Sequence, residues 1–352
     1  MAKNRATHPL LTQIDKLKLE IKQLSQLHKS LLPVIQEKLR IEWVYNSNAI
    51  EGNTLTLGET AFFLREGLTS EGKPLKDFLD TKNHAEALDG LDEIIKRKRP
   101  ITESVIKELH SVLLKDVEHS IARGANGKAF RKPILSGAYK KHPNHVLTVT
   151  GKIHHYTDPL HVRDEMEKLI TFYKKESGLH PVERAVLFHY RFVSIHPFDD
   201  GNGRLARILM NLILMKDGYP PCVIRFIRRK KYLETLENVD RSENMHAFIE
   251  FVAEELTATM QIILKVLKDK KVPDFSESLE PIRSIHFTRE AREALILKAL
   301  RDGALSIQQL HATLTQLKRP TLKGDLQRLV AQKKILRNGI GKSTTYLKRR
   351  KT

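Results

Sequence analysis

Ahead of its basic carboxy-terminal fifth, this chain has only one stretch patterned as β-strand, and that limits the fold more than any other feature. Val146-Leu147-Thr148-Val149 and Ile153-His154-His155-Tyr156 flank Thr150-Gly151-Lys152, a Gly-containing turn, and predict a β-hairpin. Elsewhere apolar residues recur at steps of three and four, the spacing of helices buried along one face. Leu10, Ile14, Leu17, Ile21, Leu24 and Leu31 form the first such stripe, disturbed at Pro33. It fits docking on the main body or on a second copy of the chain, as in a homo-oligomer. A second helix is predicted at about 35–49, and the capping-box spacing of Thr56 and Glu59 starts a third near Leu57. Helical patterns follow at 75–98, 103–114, 162–175, 181–194, 205–216, 232–238 and 245–267. The expected fold class is mainly α, a helical core with one hairpin.

Charge divides the chain. The whole carries 61 Lys+Arg against 42 Asp+Glu, but residues 281–352 alone hold 17 against 4. Such an asymmetry suggests an appended module that meets a polyanion, DNA being the usual candidate. Its pattern is self-contained: helices at 289–300, 306–314 and 320–331, then strands at 335–336 and 345–347 around Gly339-Ile340-Gly341. That order resembles a small winged helix-turn-helix. Arg319, Lys323, Gln327 and Arg328 on its third helix and Lys342, Arg349 and Arg350 on its wing would face phosphates and base edges. Winged helices also dock proteins. Gly341-Lys342-Ser343-Thr344 imitates the end of a phosphate-binding P-loop, but Leu336 stands where that motif needs its first glycine. Expected domains are 1–99 with the first helices, a core at 100–270, a linker at 271–285 and the basic module at 286–352.

Several classes are excluded. One cysteine, Cys222, cannot build a disulfide framework or a cysteine-cluster metal site. The longest apolar run, Ile208 to Met215, falls far short of the ~20 residues of a membrane span. The first residues lack an apolar signal core, so no membrane and a cytoplasmic location are expected.

The chemistry concentrates in Ile195-His196-Pro197-Phe198-Asp199-Asp200-Gly201-Asn202-Gly203-Arg204-Leu205-Ala206-Arg207. Leu205, Ile208, Leu209 and Leu212 fall at helical spacing, so a buried helix begins near Gly203. Glycines just before it let the backbone approach a ligand and aim free N–H groups at an anion. Arg204, Arg207 and Asn211 share the side of the helix away from the apolar stripe. Asp200 adds a carboxylate beside bound phosphates, the way Mg²⁺ is usually held. His196 can titrate near neutral pH and suits a general base. Together these read as nucleotide-dependent transfer.

The stretch is similar to the signature of the Fic family, H-x-F-x-(D/E)-G-N-G-R-x-x-R, with every specified position matched. The likeness runs through Gly218-Tyr219-Pro220-Pro221 and back over the hairpin, about residues 100–265. It implies a helical Fic core with the hairpin as a flap, and transfer of AMP from ATP to a Ser, Thr or Tyr hydroxyl of a target protein. The resemblance makes His196 the base, and Phe198 an anchor. Asp200 becomes the Mg²⁺ ligand, Gly201, Asn202 and Gly203 a phosphate cradle continued by Leu205 and Ala206, and Arg204 and Arg207 the holders of the β- and γ-phosphates. The flap would align the target by strand addition. Tyr232 and Asn238 fall in the region of the adenine pocket.

Ser47-Asn48-Ala49-Ile50-Glu51-Gly52 resembles the family's inhibitory motif, (S/T)-x-x-x-E-(G/N), with Ser47, Glu51 and Gly52 matched. Glu51 against Arg207 would occupy the cation meant for the γ-phosphate and repel the triphosphate. Two alternatives stand beside an autoinhibited adenylyltransferase: a nucleotide-sensing DNA-binding regulator, and an enzyme that mainly removes AMP.

Overall fold

The computed structural model describes residues 9–123, 129–147, 153–270, 287–301, 303–314, 317, 319–339 and 344–349. Two compact units emerge from its contacts: Met1–Thr54 with Leu79–Pro273, and Leu55–Phe78 with Asp274–Thr352. This division differs from the sequence-based one in grouping the first helices with the core and in giving residues 55–78 to the carboxy-terminal unit. The linker expected at 271–285 lies outside the described residues.

In the larger unit α1 (Pro9–Leu27) is followed by a 3-10 turn at Lys29–Leu31 and by α2 (Leu32–Ile50). Pro33 sits in the first turn of α2, where its missing N–H costs nothing, so it separates two helices instead of kinking one. The α1 stripe is spent inside this unit. Leu11 and Ile14 are buried, and Ile21, Leu24 and Leu31 pack on a cluster of Ile35, Leu39, Ile263, Val266 and Leu267. Tyr219 donates to Asp15 at 2.5 Å and Lys18 Nζ donates to the Asp217 carbonyl at 2.6 Å, pinning α1 in register.

Next come α4 (Leu75–Lys96, shared between the units), α5 (Glu103–Leu113), α6 (Val162–Lys175), α7 (Pro181–Ile195), α8 (Asn202–Lys216), α9 (Arg229–Ser242) and α10 (His246–Asp269). Phe188, Phe192, Phe198, Phe248 and Phe251 are wholly buried, and α8 is buried from Arg204 to Leu214. An all-round buried helix is a central helix. The site is therefore carried by a central, buried helix.

The expected hairpin pairs β3 (His145–Leu147) with β4 (Ile153–His155); its turn residues lie outside the described residues. A second hairpin, β1 (His119–Arg123) with β2 (Ala129–Pro133), is not in the sequence-based expectation. Its strands are short and basic, so they carry no apolar alternation; Asn126-Gly127 between them was the one hairpin signal available.

In the second unit α3 (Leu57–Glu66) has the capping box expected at Thr56 and Glu59 and ends on Gly67 at φ 68°. It joins α11 (Arg289–Ala299), α12 (Ile307–Thr313), α13 (Arg319–Ala331) and a three-stranded antiparallel sheet. The strands are β5 (Leu305–Ser306), β6 (Ile335–Asn338) and β7 (Thr345–Lys348), in the order β5-β7-β6. Phe62 of α3 meets Phe287 at 4.5 Å between ring centroids, inside a core with Leu295, Ile296, Leu326 and Leu329.

Candidate active site

Pro181 opens α7 behind a His180–Glu183 capping box, and the helix closes on His196. His196 takes the left-handed conformation, φ 51° and ψ 59°. An L-residue pays roughly 1–2 kcal/mol for that. The turn swings the chain away from the helix axis into Pro197 and Phe198. Nδ1 of His196 lies 3.3 Å from the Val193 carbonyl, which can only accept, so Nδ1 carries a proton. The ring of Tyr156 stacks on the imidazole at 3.8 Å and 19°.

The loop is braced from several sides. Phe198 is buried against His110, rings 3.7 Å apart and nearly parallel. His110 accepts the Gly137 N–H at Nδ1 and donates from Nε2 to the Asp200 carbonyl at 3.1 Å. Burial pushes its pKa down to about 4, so it braces as a neutral ring. The side chain of Asn202 is engaged within the loop. Its amide accepts from Phe198 N–H at 3.0 Å and donates to Phe198 C=O at 2.8 Å, which leaves it holding the loop.

Gly201 caps α8 at φ 77°, a conformation that favours glycine. A Cβ at Gly203 would overlap Glu51 Oε1 and stand 3.3 Å from Arg207 Nη1, so this glycine lets the carboxylate reach the helix end. The side chains of Leu205 and Ala206 are wholly in the core. The Leu205 N–H already bonds to the Gly201 carbonyl at 2.9 Å.

Both motif arginines are 3% exposed and already engaged. Arg204 donates from Nη1 to Asp80 of α4 at 2.7 Å, with Asp200 at 3.5 Å from Nη2, while its buried Nε finds no hydrogen-bond partner among the described residues. Arg207 is clamped by α2. Its Nε donates to Ser47 Oγ at 2.9 Å, and Nη2 donates to the Ser47 carbonyl and to Glu51 Oε1, both at 2.8 Å. Ser47 and Glu51 are one turn apart, so both reach the same guanidinium. Glu51 ends α2, and Gly52 turns the chain away at φ 95°. Crowding by protein atoms pushes the Glu51 carboxyl up, but Arg207, helped by Arg204 and His196, overcomes this and holds it below the ordinary carboxylate range.

Of the two loop aspartates, Asp199 is buried against Lys132 at 2.6 Å, whereas the Asp200 side chain is 30% exposed. Asp200 is thus the carboxylate open to a cation. Among the described residues no cluster of three or more metal-type side chains exists, so any ion here would draw its remaining ligands from phosphate and water. Tyr232 is buried, its hydroxyl 3.0 Å from His189 Nε2. Asn238 is exposed on α9 and accepts from Arg241. The structure therefore gathers His196, Asp200, Gly201 to Arg207, Ser47 and Glu51. Asp80, His110, Lys140 and Asn144 were not read from the sequence. They come from three separate places, α4, α5 and the segment before β3, and only the fold makes them neighbours of the loop.

Comparison with known proteins agrees with this geometry. Residues 100–214 match the model of the Fic/DOC family. A protein adenylyltransferase Fic from Nematostella vectensis is 37% identical over 212 residues, 60% of this chain and 45% of its own length. Protein adenylyltransferase fic-1 of Caenorhabditis elegans is 29% identical over 299 residues, 79% of this chain and 55% of its own. The chain thus spans about half the length of these curated relatives. A crystal structure of a Fic-domain-containing signaling protein from Bacteroides thetaiotaomicron superposes with a TM-score of 0.65 at 33% identity, covering 74% of this chain and 98% of that one.

Proposed function

This chain belongs to the Fic/DOC family, and from that premise we propose that it is a protein adenylyltransferase, moving AMP from ATP to a Ser, Thr or Tyr hydroxyl of a target protein, with Glu51 as a built-in brake. The observation that carries the reading is the pairing of two helix ends: His196 closing α7 with Nδ1 turned to the Val193 carbonyl, and Gly201–Arg207 opening α8 with two buried arginines. The acceptor hydroxyl loses its proton to His196 Nε2 as its oxygen bonds to the α-phosphorus. The bond from that phosphorus to the bridging oxygen breaks, and pyrophosphate leaves. Backbone N–H groups at the start of α8 and the two guanidinium groups hold the phosphates, so catalysis is alignment and charge neutralisation. Asp200 would hold Mg²⁺, which supplies further neutralisation of phosphate charge when bound. The β3–β4 hairpin offers backbone for strand addition by the target.

In the braked state Arg207 has Ser47 and Glu51 where a phosphate should be. Glu51→Gly removes both the competitor and its negative charge. It should raise AMP transfer to the protein itself or to lysate proteins at least about tenfold, seen as a one-AMP mass gain. His196→Ala in that background should abolish the gain. A Glu51→Gly protein that binds ATP and transfers nothing would defeat the reading. AMP removal is a second reading: the Glu51 carboxylate is ionised, 42% exposed and close enough to His196 to feel its charge. Loss of label from a supplied adenylylated protein would establish it.

The carboxy-terminal unit has the element order of a winged helix, and Arg319, Lys323 and Gln327 form an exposed row on α13 that suits DNA phosphates. Arg328 is spent on the buried Asp325 at 2.8 Å instead; Lys342 and Arg350 lie outside the described residues. No described helix is long and apolar enough to cross a membrane. The lone, buried Cys222 suits the cytoplasm.

A further inference from the structure

The carbonyls around His196 are held by one short segment that precedes the β3–β4 hairpin. Where α7 ends in a left-handed turn, the carbonyl of Ile195 has no helical partner, and those of Pro197 and Phe198 lie beyond the helix. Lys140 and Asn144 supply all three. The Lys140 N–H donates to Pro197 O at 2.9 Å. Its ammonium donates to Asn144 Oδ1 at 2.6 Å and reaches Ile195 O at 3.5 Å, and Asn144 Nδ2 donates to Phe198 O at 3.0 Å. The same ammonium faces the ring of Tyr156 at 5.8 Å, and that ring is the one stacked on the His196 imidazole.

A lysine 3% exposed is uncommon, because burying an ammonium costs far more than burying a methylene chain. Burial, with Lys132 nearby, pushes its pKa down to about 8, against the pull of Asp199 and Asp158. It remains mostly charged at neutral pH and keeps its donors. A methionine of similar length would fill the space without that cost, yet would leave the Ile195 carbonyl and Asn144 without their donor.

We propose that Lys140 is a positioning residue that fixes the orientation of the His196 imidazole, through the Ile195 carbonyl on one side and the Tyr156 ring on the other, with Asn144 extending the hold to Phe198. Its consequence for rate rests on the adenylyl-transfer reading; its consequence for the imidazole does not.

Side-chain ¹⁵N–¹H spectra of the histidine-labelled full chain test it, the His196 signals being those lost in His196→Ala. In Lys140→Met the His196 pattern should move from the Nδ1–H tautomer toward a mixture. In the Glu51→Gly background kcat for AMP transfer should fall at least about tenfold, with the KM for ATP within about twofold. Lys140→Arg, which keeps a cation, should restore most of both. Asn144→Ala, at a half-buried position, should shift His196 in the same direction by less, and it decides the matter should Lys140→Met fail to fold. Unchanged His196 signals in a folded Lys140→Met or Asn144→Ala protein overturn the proposal. Absence of any AMP transfer by Glu51→Gly counts against the activity alone, because the histidine spectra still report the placement.

Discussion

Gly203 shows how much one absent side chain can decide. Replacing an exposed-helix glycine by alanine normally stabilises by about 0.5–1 kcal/mol. Here the new Cβ would overlap the Glu51 carboxylate. Gly203→Ala should therefore lower the melting temperature of the wild type and raise it in Glu51→Gly. The thermal-unfolding cycle should give a coupling of roughly 1 kcal/mol. Equal shifts in both backgrounds would mean that Glu51 does not sit against the helix end. The ionisation of Glu51 has its own signature. Its folded pKa is depressed, so its contribution is fully present above the ordinary carboxylate pKa and is lost as pH falls through the lower folded value. The melting-temperature gap between wild type and Glu51→Gln should be flat well above the ordinary carboxylate pKa and close as pH falls below it. A gap that opens on acidification would reverse the sign. At this scale the sequence was legible where chemistry is local: His196, Asp200, Arg204 and Arg207 lie within twelve residues, and Ser47 and Glu51 one turn apart. Asp80 and Lys140 were not. A lysine or aspartate destined for burial looks like any other until its partners arrive from distant segments.

At the scale of elements, the loop between α7 and α8 behaves as one braced piece. Asn202 closes it on Phe198, and His110 and Asn144 hold it from α5 and from the segment before β3. Asn202→Ala would orphan a buried N–H and take one of two donors from the Phe198 carbonyl, which costs about 1–3 kcal/mol. The expected outcome is a lower melting temperature without nucleotide, together with loss of AMP transfer. Unchanged stability with a raised KM for ATP would place Asn202 in the phosphate cradle. Helices could be read in advance because caps and apolar stripes are local: the Thr56 box and the stripe of α8 fell where expected, whereas Pro33, expected to disturb the first stripe, instead opens a second helix. The β1–β2 hairpin could not be read from pattern, since its strands are polar and their pairing partner is the only thing that makes them strands.

Taken whole, the chain separates its charge from its chemistry. The arginines that would handle phosphates lie in residues 1–280, which hold 44 Lys+Arg against 38 Asp+Glu, and most of the excess positive charge lies in residues 281–352, part of a unit with a core of its own. That unit is not a detachable tail. Residues 55–78 belong to it, and Phe62 of α3 packs on Phe287. Cutting the chain after residue 273 would strip α3 of its apolar partners and leave Phe62 and Leu68 in water, so such a truncation should aggregate or lose helicity. A DNA-binding role is therefore better tested with substitutions in the full chain. Arg319→Ala with Lys323→Ala removes two exposed cations and disturbs no buried contact, unlike any change at Arg328, which neutralises Asp325. If α13 tracks a duplex backbone, fluorescence anisotropy with a mixed-sequence 30-base-pair duplex should show weaker binding. The slope of log K against log salt should become shallower by about 2, since each lost phosphate contact removes about 0.9 from it. Binding by the wild type that the double substitution leaves unchanged in affinity and slope would assign the charge elsewhere and leave the unit a protein-docking module.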